Sequence, residues 1–369
     1  MKQELLMLLG GAAARNFPIL LEEISRPSMN LEGLKVINNT PLDMASLFKC
    51  ASFLASGADL TICLDRTLPF TEEALNFLKE KKVPFFEKED LKGTECDIVL
   101  DCNGGMIGVV EPKLGFVELT NSGKYKYDGI KKPVINVDDT ETKKLETFFG
   151  TGESLVRALH ELGPVSEKEF EGTKAVVFGF GKVGRGVVHG LTSVGCQVVV
   201  VDPSEEARKV AKMKPGCLEA FDPSEKEKIK FHFAQSLAVV TVTGIDGWVS
   251  KEYDKADFAG TRFLTNMGAE DEFGSKFSED DILNKKFPVN FALKEPTLPL
   301  FLDPIFQAHN KAAQLLADGK AKEGFHPLDK TLDLEILKKW CELYPFLDAS
   351  AAFSYESKVP SNFFKRNAG

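Results

Sequence analysis

The chain has 369 residues, 43% of them hydrophobic and 27% charged, with 30 Gly and 18 Pro. This is the balance of a folded globular protein rather than a disordered or fibrous one, and single cores stop growing near roughly 250 residues, so two domains are expected. A formal charge of -9 repels a phosphate backbone and an anionic membrane alike, and no Lys/Arg stripe interleaved with aromatics is present, so neither nucleic acid nor membrane is expected as a partner.

In chain order, the first feature is a short apolar run, Leu5 to Ala14, preceded by Lys2. It is the only candidate for a targeting segment; Glu4 is out of place in the positive region of a leader, and a cytoplasmic protein is expected. From Leu34 short apolar runs alternate with amphipathic stretches: LKVIN, Leu42 to Ser56, DLTICLD, Thr71 to Glu80, VPFFE and CDIVLDC. That alternation predicts an α/β fold with a mainly parallel sheet covered by helices. Two further strands, GFVELT and PVINVDD, flank the turn-rich stretch Asn121 to Lys132. Thr140 to Gly163 reads as a helix interrupted at Gly150, Thr151 and Gly152, which marks either a hinge between domains or a turn between two helices. Asp138 and Asp139 are placed to cap its start.

A second alternation begins at Lys174 with KAVVFG, a helix through Val183, Val187, Val188 and Leu191, then CQVVVVDP, SEEARKVAK, SLAVVTVTG and RFLTNMG. Its Val-rich strands are continuous, as expected where both faces of a parallel sheet are buried. Pro304 to Ala317 is helical, Pro327 to Leu343 amphipathic, and the residues from Ser350 onward irregular. The seven cysteines include no CxxC pair and read as reduced, packed thiols; the five histidines lack metal-ligand spacing, so no metal is expected.

Chemistry enters with GFGKVG, residues 179–184. A lone GxGxxG is weak evidence, but here it follows a strand directly and opens a helix. Gly179 then makes the tight turn, Gly181 lets backbone approach a pyrophosphate, and Gly184 permits close packing, while the N–H groups of the helix start at Lys182 and Val183 meet the phosphate oxygens. Asp202 closes the next strand, where a carboxylate accepts from both hydroxyls of a ribose and repels a 2′-phosphate. Pro203 and Ser204 follow with no arginine immediately after, so NAD is the expected cofactor. The bland alternative is a Rossmann-shaped domain whose loop is only structural.

Around this loop the order of motifs resembles S-adenosylhomocysteine hydrolase. The likeness runs from about Leu31 to Thr297 and is carried by VELTNSG (117–123), INVDDTETKK (135–144), GTGES (150–154), GFGKVGRG (179–186), and the pair VTVTG (240–244) and TNMG (265–268). The resemblance implies a tightly bound NAD that oxidises a ribose 3′-hydroxyl and is restored at the end of each cycle. It also implies that copies of the chain associate. By motif, Lys143 falls at the family's lysine beside the hydroxyl, Thr120, Asn121 and Ser122 at its cofactor-touching threonines, and Thr243, Gly244 and Asn266 at strand ends beside the nicotinamide. The substrate side departs from the family: Asn38, Asn39 and Thr40 stand for His-Met-Thr, Ala269 for a histidine, Glu295 for another, and Glu146 with Thr147 for an Asp-Asn pair.

Three residues are candidates for the chemistry itself. Lys143 serves as a base only if burial lowers its pKa; otherwise it is a solvated helix lysine beside Lys144. Glu146 stands in for the family's aspartate with one more methylene. Asp101 ends the strand DIVLD, at the edge where ligands gather, or else begins a turn before Asn103 and Gly104. His309 reads as a structural or interface residue rather than a catalyst. The expected organisation is a substrate domain over 1–149 with a return segment 305–350, an NAD-binding Rossmann domain over 150–300, and an irregular tail 351–369. Three functions are consistent with it: an adenosylhomocysteinase-like enzyme acting on adenosylhomocysteine or a related thioether nucleoside, a dehydrogenase of another hydroxylated small molecule, or a non-catalytic NAD-binding regulator.

Overall fold

The computed structural model describes residues 15–347 and residue 352. The apolar run Leu5 to Ala14 and, residue 352 apart, the tail 351–369 lie outside the described residues. In chain order the elements are α1 (Pro18–Ser25), β1 (Lys35–Asn38), α2 (Met44–Ala55), β2 (Asp59–Leu64), α3 (Glu72–Glu80), β3 (Phe85–Glu87), β4 (Ile98–Asp101), β5 (Gly115–Glu118) and β6 (Pro133–Asn136). A short helix α4 (Glu141–Lys144), a π-helical segment (Leu145–Gly150) and α5 (Thr151–Leu162) follow without a break, then α6 (Glu167–Phe170). Next come β7 (Lys174–Phe178), α7 (Lys182–Ser193), β8 (Gln197–Val201), α8 (Glu205–Lys212), β9 (Cys217–Phe221), α9 (Lys226–Phe233), β10 (Ser236–Thr241), α10 (Trp248–Glu252) and β11 (Phe263–Asn266). The last elements are α11 (Pro299–Ala317), β12 (Gly324–Pro327) and α12 (Lys330–Leu343).

The described chain divides into two compact units, residues 15–143 with 299–347, and residues 144–298 with residue 352. The first unit holds a seven-stranded sheet in the order β12-β6-β5-β4-β1-β2-β3, parallel throughout. Successive residues of each strand point to opposite faces. Val36, Leu100, Val117 and Ile135 meet the core built with α1, α2 and α11, while Ile37, Val99, Phe116 and Val134 pack on the other face around Tyr127. Burial of both faces is why these strands read as unbroken apolar runs. β12 was not anticipated: GFHP carries a glycine and a proline, which only an edge strand tolerates, and its register runs from Gly324↔Pro133 to Pro327↔Asn136.

The second unit holds five parallel strands in the order β11-β10-β7-β8-β9. Ala175, Val177, Val198, Val200 and Val240 face one core, and Val176, Phe178, Val199, Val201 and Val239 the other. Edge strand β9 and helix α9 escaped the sequence reading, because Leu218 and Glu219 are exposed and the apolar signal is too short.

The expected interruption at Gly150 to Gly152 is corrected by the structure. Gly150 and Thr151 have helical dihedrals (φ -61°, ψ -42° and φ -73°, ψ -35°), and the helix runs through. The glycine serves packing: a Cβ on Gly152 would stand 2.3 Å from the carbonyl oxygen of Gly186 in α7, and one on Gly190 would stand 2.2 Å from that of Gly152. The expected caps are corrected too. Thr140 Oγ1 accepts from Lys143 N (3.0 Å) and Asp333 accepts from Glu141 N and Thr142 N (2.7 and 3.0 Å), whereas Asp138 and Asp139 accept from the Asn121 amide at 2.8 and 2.7 Å.

Candidate functional site

In the second unit the strand order reverses at β7, with β8 on one side and β10 on the other, and such a switch point opens a crevice at the carboxyl ends of the strands. The glycine loop lies there. Gly179 has φ +100°, in the left-handed region, and a Cβ on it would come within 2.4 Å of the Val242 carbonyl oxygen. A Cβ on Gly184 would stand 2.2 Å from the Gly179 oxygen, so helix and loop touch backbone to backbone. Gly181 is the opposite case: it caps α7, is exposed, and a Cβ there would meet no atom within 4 Å. The open space over Gly181, beside the first N–H groups of a twelve-residue helix at Lys182 and Val183, is a cradle of the kind a pyrophosphate fills.

Asp202 follows β8 and is nearly buried; its Oδ2 accepts from Phe180 N at 2.7 Å and its Oδ1 from Ser204 N at 2.8 Å. The acid thus braces the middle of the glycine loop, and each oxygen keeps a lone pair for a further donor. The sequence reading missed Arg208, whose Nη1 donates to the oxygens of Asp202 (2.7 Å) and Pro203 (2.8 Å) and to Asp222 Oδ2 (3.0 Å), tying the turn after β8 to the end of β9. The only trace in sequence is its place in the first turn of α8, which folds back on the strand end.

On the other side of β7, Thr243 and Gly244 follow β10 and Asn266 closes β11. The Asn266 side chain is fully committed. Its Oδ1 accepts from Thr241 Oγ1 and Gly268 N (3.1 and 2.9 Å), and its Nδ2 donates to the oxygens of Gly268, Glu270 and Lys286 (3.2, 2.7 and 2.8 Å). Asn266 therefore shapes its loop.

The remaining sequence candidates, Glu146 apart, belong to the first unit. Asp101, at the end of β4, is fully buried; its oxygens accept from Asn39 Nδ2 and Cys102 N (both 2.9 Å), Met106 N (3.1 Å) and the Tyr127 hydroxyl (3.0 Å). Of its two sequence readings, the turn is the one these bonds describe. Burial first, and the neighbouring Glu118 charge second, push its carboxyl above the usual range. Glu118, which the sequence reading did not single out, accepts from Asn103 N, Gly104 N and Thr120 N, and also lies 2.7 Å from Tyr127 Oη. A phenol has one proton to donate, so Tyr127 stands between the two carboxyls and serves one of them at a time.

Thr120 and Ser122 share a 2.8 Å hydroxyl contact at the carboxyl end of β5, and Asn121 is held by Asp138, Asp139 and Asn136. Lys143 is buried while Lys144 is half-buried, so the solvated-lysine alternative does not hold. Glu146 is half-buried in the π-helical segment of the second unit. His309 is fully buried with Nε2 against the Val117 oxygen at 2.9 Å, and burial holds its pKa well below the usual value, so it is neutral and structural.

No family model matches the chain. Among solved structures, a dipicolinate synthase subunit from Bacillus halodurans superposes with a TM-score of 0.51 at 13% identity, over 78% of this chain and 99% of that one. Looser matches are a dipicolinate synthase chain from Bacillus subtilis (TM-score 0.44, 12% identity, 79% of this chain and 98% of that one) and a D-isomer specific 2-hydroxyacid dehydrogenase family protein from Aeromonas salmonicida subsp. salmonicida (0.39, 14%, 80% and 98%). The first likeness is one of fold. The α/β class with two parallel sheets, anticipated from the sequence, is what the structure has.

Proposed function

We propose that residues 144–298 bind NAD and that the chain uses it to oxidise a hydroxyl of a small ligand, in the manner of the adenosylhomocysteinase family that its motifs resemble. The observation that carries this reading is the open space over Gly181 at the start of α7, between two glycines that sterics alone require. Bound NAD supplies a hydride acceptor for an alcohol carbon. The N–H groups of Lys182 and Val183 hold pyrophosphate oxygens, and the helix dipole adds to the attraction. Asp202, braced by Phe180 N and Ser204 N, accepts from the ribose hydroxyls and disfavours a 2′-phosphate.

Lys143 is the residue we assign to the ligand hydroxyl. Its amine takes the hydroxyl proton as the carbon is oxidised, and Glu146 is assigned the place of the family's aspartate. Thr120, Asn121 and Ser122 are assigned to the cofactor by resemblance, and self-association rests on the same resemblance. Asp101 accepts from Asn39 Nδ2, Cys102 N and Met106 N and holds its turn. The ligand class is adenosylhomocysteine or a related thioether nucleoside. A second reading, a dehydrogenase of another hydroxylated small molecule, is favoured by Asn38, Ala269 and Glu295 standing where the family has histidines.

Calorimetric titration with NAD and NADP tests the cofactor: NAD is expected to bind at least about tenfold more tightly, and equal affinities would remove the role of Asp202. Incubation with NAD and adenosylhomocysteine, followed by assay of adenosine, homocysteine and NADH, tests the chemistry. Because acid/base groups worth roughly 100- to 10,000-fold each are missing, hydrolysis below about one turnover per second is expected. Faster turnover that vanishes in Lys143→Met would overturn the expectation of weak activity and make the chain a plain hydrolase, and release of NADH would establish the dehydrogenase.

A further inference from the structure

One buried acid of the second unit has no part in the NAD contacts proposed so far. Glu272, in the loop after β11, is completely buried. Its Oε2 accepts from Thr243 N (2.7 Å) and Thr243 Oγ1 (2.8 Å), and its Oε1 from Gly244 N (2.7 Å). Burial pushes the carboxyl up, and these donors oppose the shift. A Cβ on Gly268 would stand 1.8 Å from Glu272 Oε1, so any larger residue there displaces this carboxylate. The carboxylate thus joins the loop after β10 to the loop after β11, with the committed amide of Asn266 in the same joint.

The position of this joint matters for a dinucleotide. Asp202 follows β8 on one side of β7, and Thr243 follows β10 on the other, with the Val242 carbonyl packed against Gly179 of the glycine loop. A dinucleotide whose adenosine ribose sits at Asp202, and whose pyrophosphate crosses Gly181, extends its nicotinamide half toward β10. We propose that Glu272 is a positioning residue: by taking the N–H groups of Thr243 and Gly244 and the Thr243 hydroxyl, it fixes the two loops as the seat of the nicotinamide half. The proposal rests on the NAD reading. Without the carboxylate, two backbone donors and a hydroxyl lose their acceptor and the loop refolds to find others.

The test compares NAD with ADP-ribose, which has the same adenosine and pyrophosphate but no nicotinamide, by calorimetry on the full chain. Glu272→Ala and Gly268→Ala, which expels the same carboxylate by a different route, are expected to weaken NAD by about tenfold or more while ADP-ribose stays within about twofold. Glu272→Gln, which keeps one acceptor oxygen, should fall between wild type and Glu272→Ala, and it carries the comparison if the alanine variant does not fold. An unchanged NAD affinity in folded Glu272→Ala overturns the proposal. So does a parallel loss of NAD and ADP-ribose, which would make Glu272 a general structural residue. Wild-type protein that binds neither ligand overturns the cofactor reading itself, and this proposal with it.

Discussion

Lys49 shows how much a single residue can be decided by its surroundings. It is fully buried, its Nζ donates to Asn38 Oδ1 at 2.7 Å, and the rings of Phe53 and Phe306 lie 5.9 Å away, with no carboxylate among these contacts. Burial lowers its pKa to about 8. Below that pH the folded and unfolded chains both carry the ammonium, and the folded one bears the full cost of its desolvation. Between about 8 and the ordinary lysine value of 10.5 the folded amine is neutral while the unfolded one still holds its proton, so the native state gains stability as pH rises. Lys49→Met is therefore expected to be more stable than wild type at pH 7, by about 1–3 kcal/mol, with the advantage shrinking toward pH 10. Denaturant melts across that range check it; a constant difference would mean that the folded lysine holds its proton as firmly as the unfolded one, so that burial does not lower its pKa.

Among the elements, α7 carries two kinds of glycine that sequence alone cannot tell apart. Gly181 opens the helix onto empty space, whereas Gly186 and Gly190 let it lie against α5, where Gly152 receives them. Gly181→Val should leave the melting temperature nearly unchanged and weaken NAD by about a hundredfold or more, because its side chain takes the pyrophosphate's place. Gly152→Val should do the reverse. Its side chain meets backbone at 2.3 Å, which no rotamer relieves, and destabilisation of about 2 kcal/mol or more is expected. Thermal melts with NAD titration separate the two, and a folded Gly181→Val protein with wild-type affinity would move the cofactor elsewhere. The helix from Glu141 to Leu162 teaches the same lesson: Gly150 and Gly152 looked like a break, yet the helix runs through them and Gly152 is a contact point with α7.

Among the described residues, the second unit is one stretch, residue 352 apart, and the first is assembled from two. Residues 144–298 contain every strand of the five-stranded sheet and both of its cores. The first unit depends on chain that arrives later: Ile305, Phe306, Ala312, Leu316 and Ile336 fill its core, and β12 extends its sheet. Asp303 accepts from Ile19 N and Leu20 N at 2.8 and 2.9 Å, and Asp333 holds the start of the helix that bears Lys143. Residues 144–298 expressed alone are expected to melt cooperatively, and residues 15–143 alone to show no such transition by circular dichroism. A cooperative melt of 15–143 would show that the return segment is dispensable.

Local chemistry made part of this protein readable from its sequence. Strand runs such as VVVV at 198–201 are legible because a doubly buried parallel strand must be apolar at every position, and GFGKVG because a tight turn into a helix leaves glycine few substitutes. The acid after β8 was legible for the same reason, since strand and turn place it within a few residues of the loop. Glu118, Glu272, Arg208, Lys49 and Asp333 were not. Each is an ordinary charged residue in sequence, and its role depends on partners brought to it by another strand or by a distant helix. Backbone periodicity and steric limits act between neighbours and therefore leave a mark on the sequence itself. The meaning of a buried charge is set by which donors surround it, and only the tertiary structure decides that.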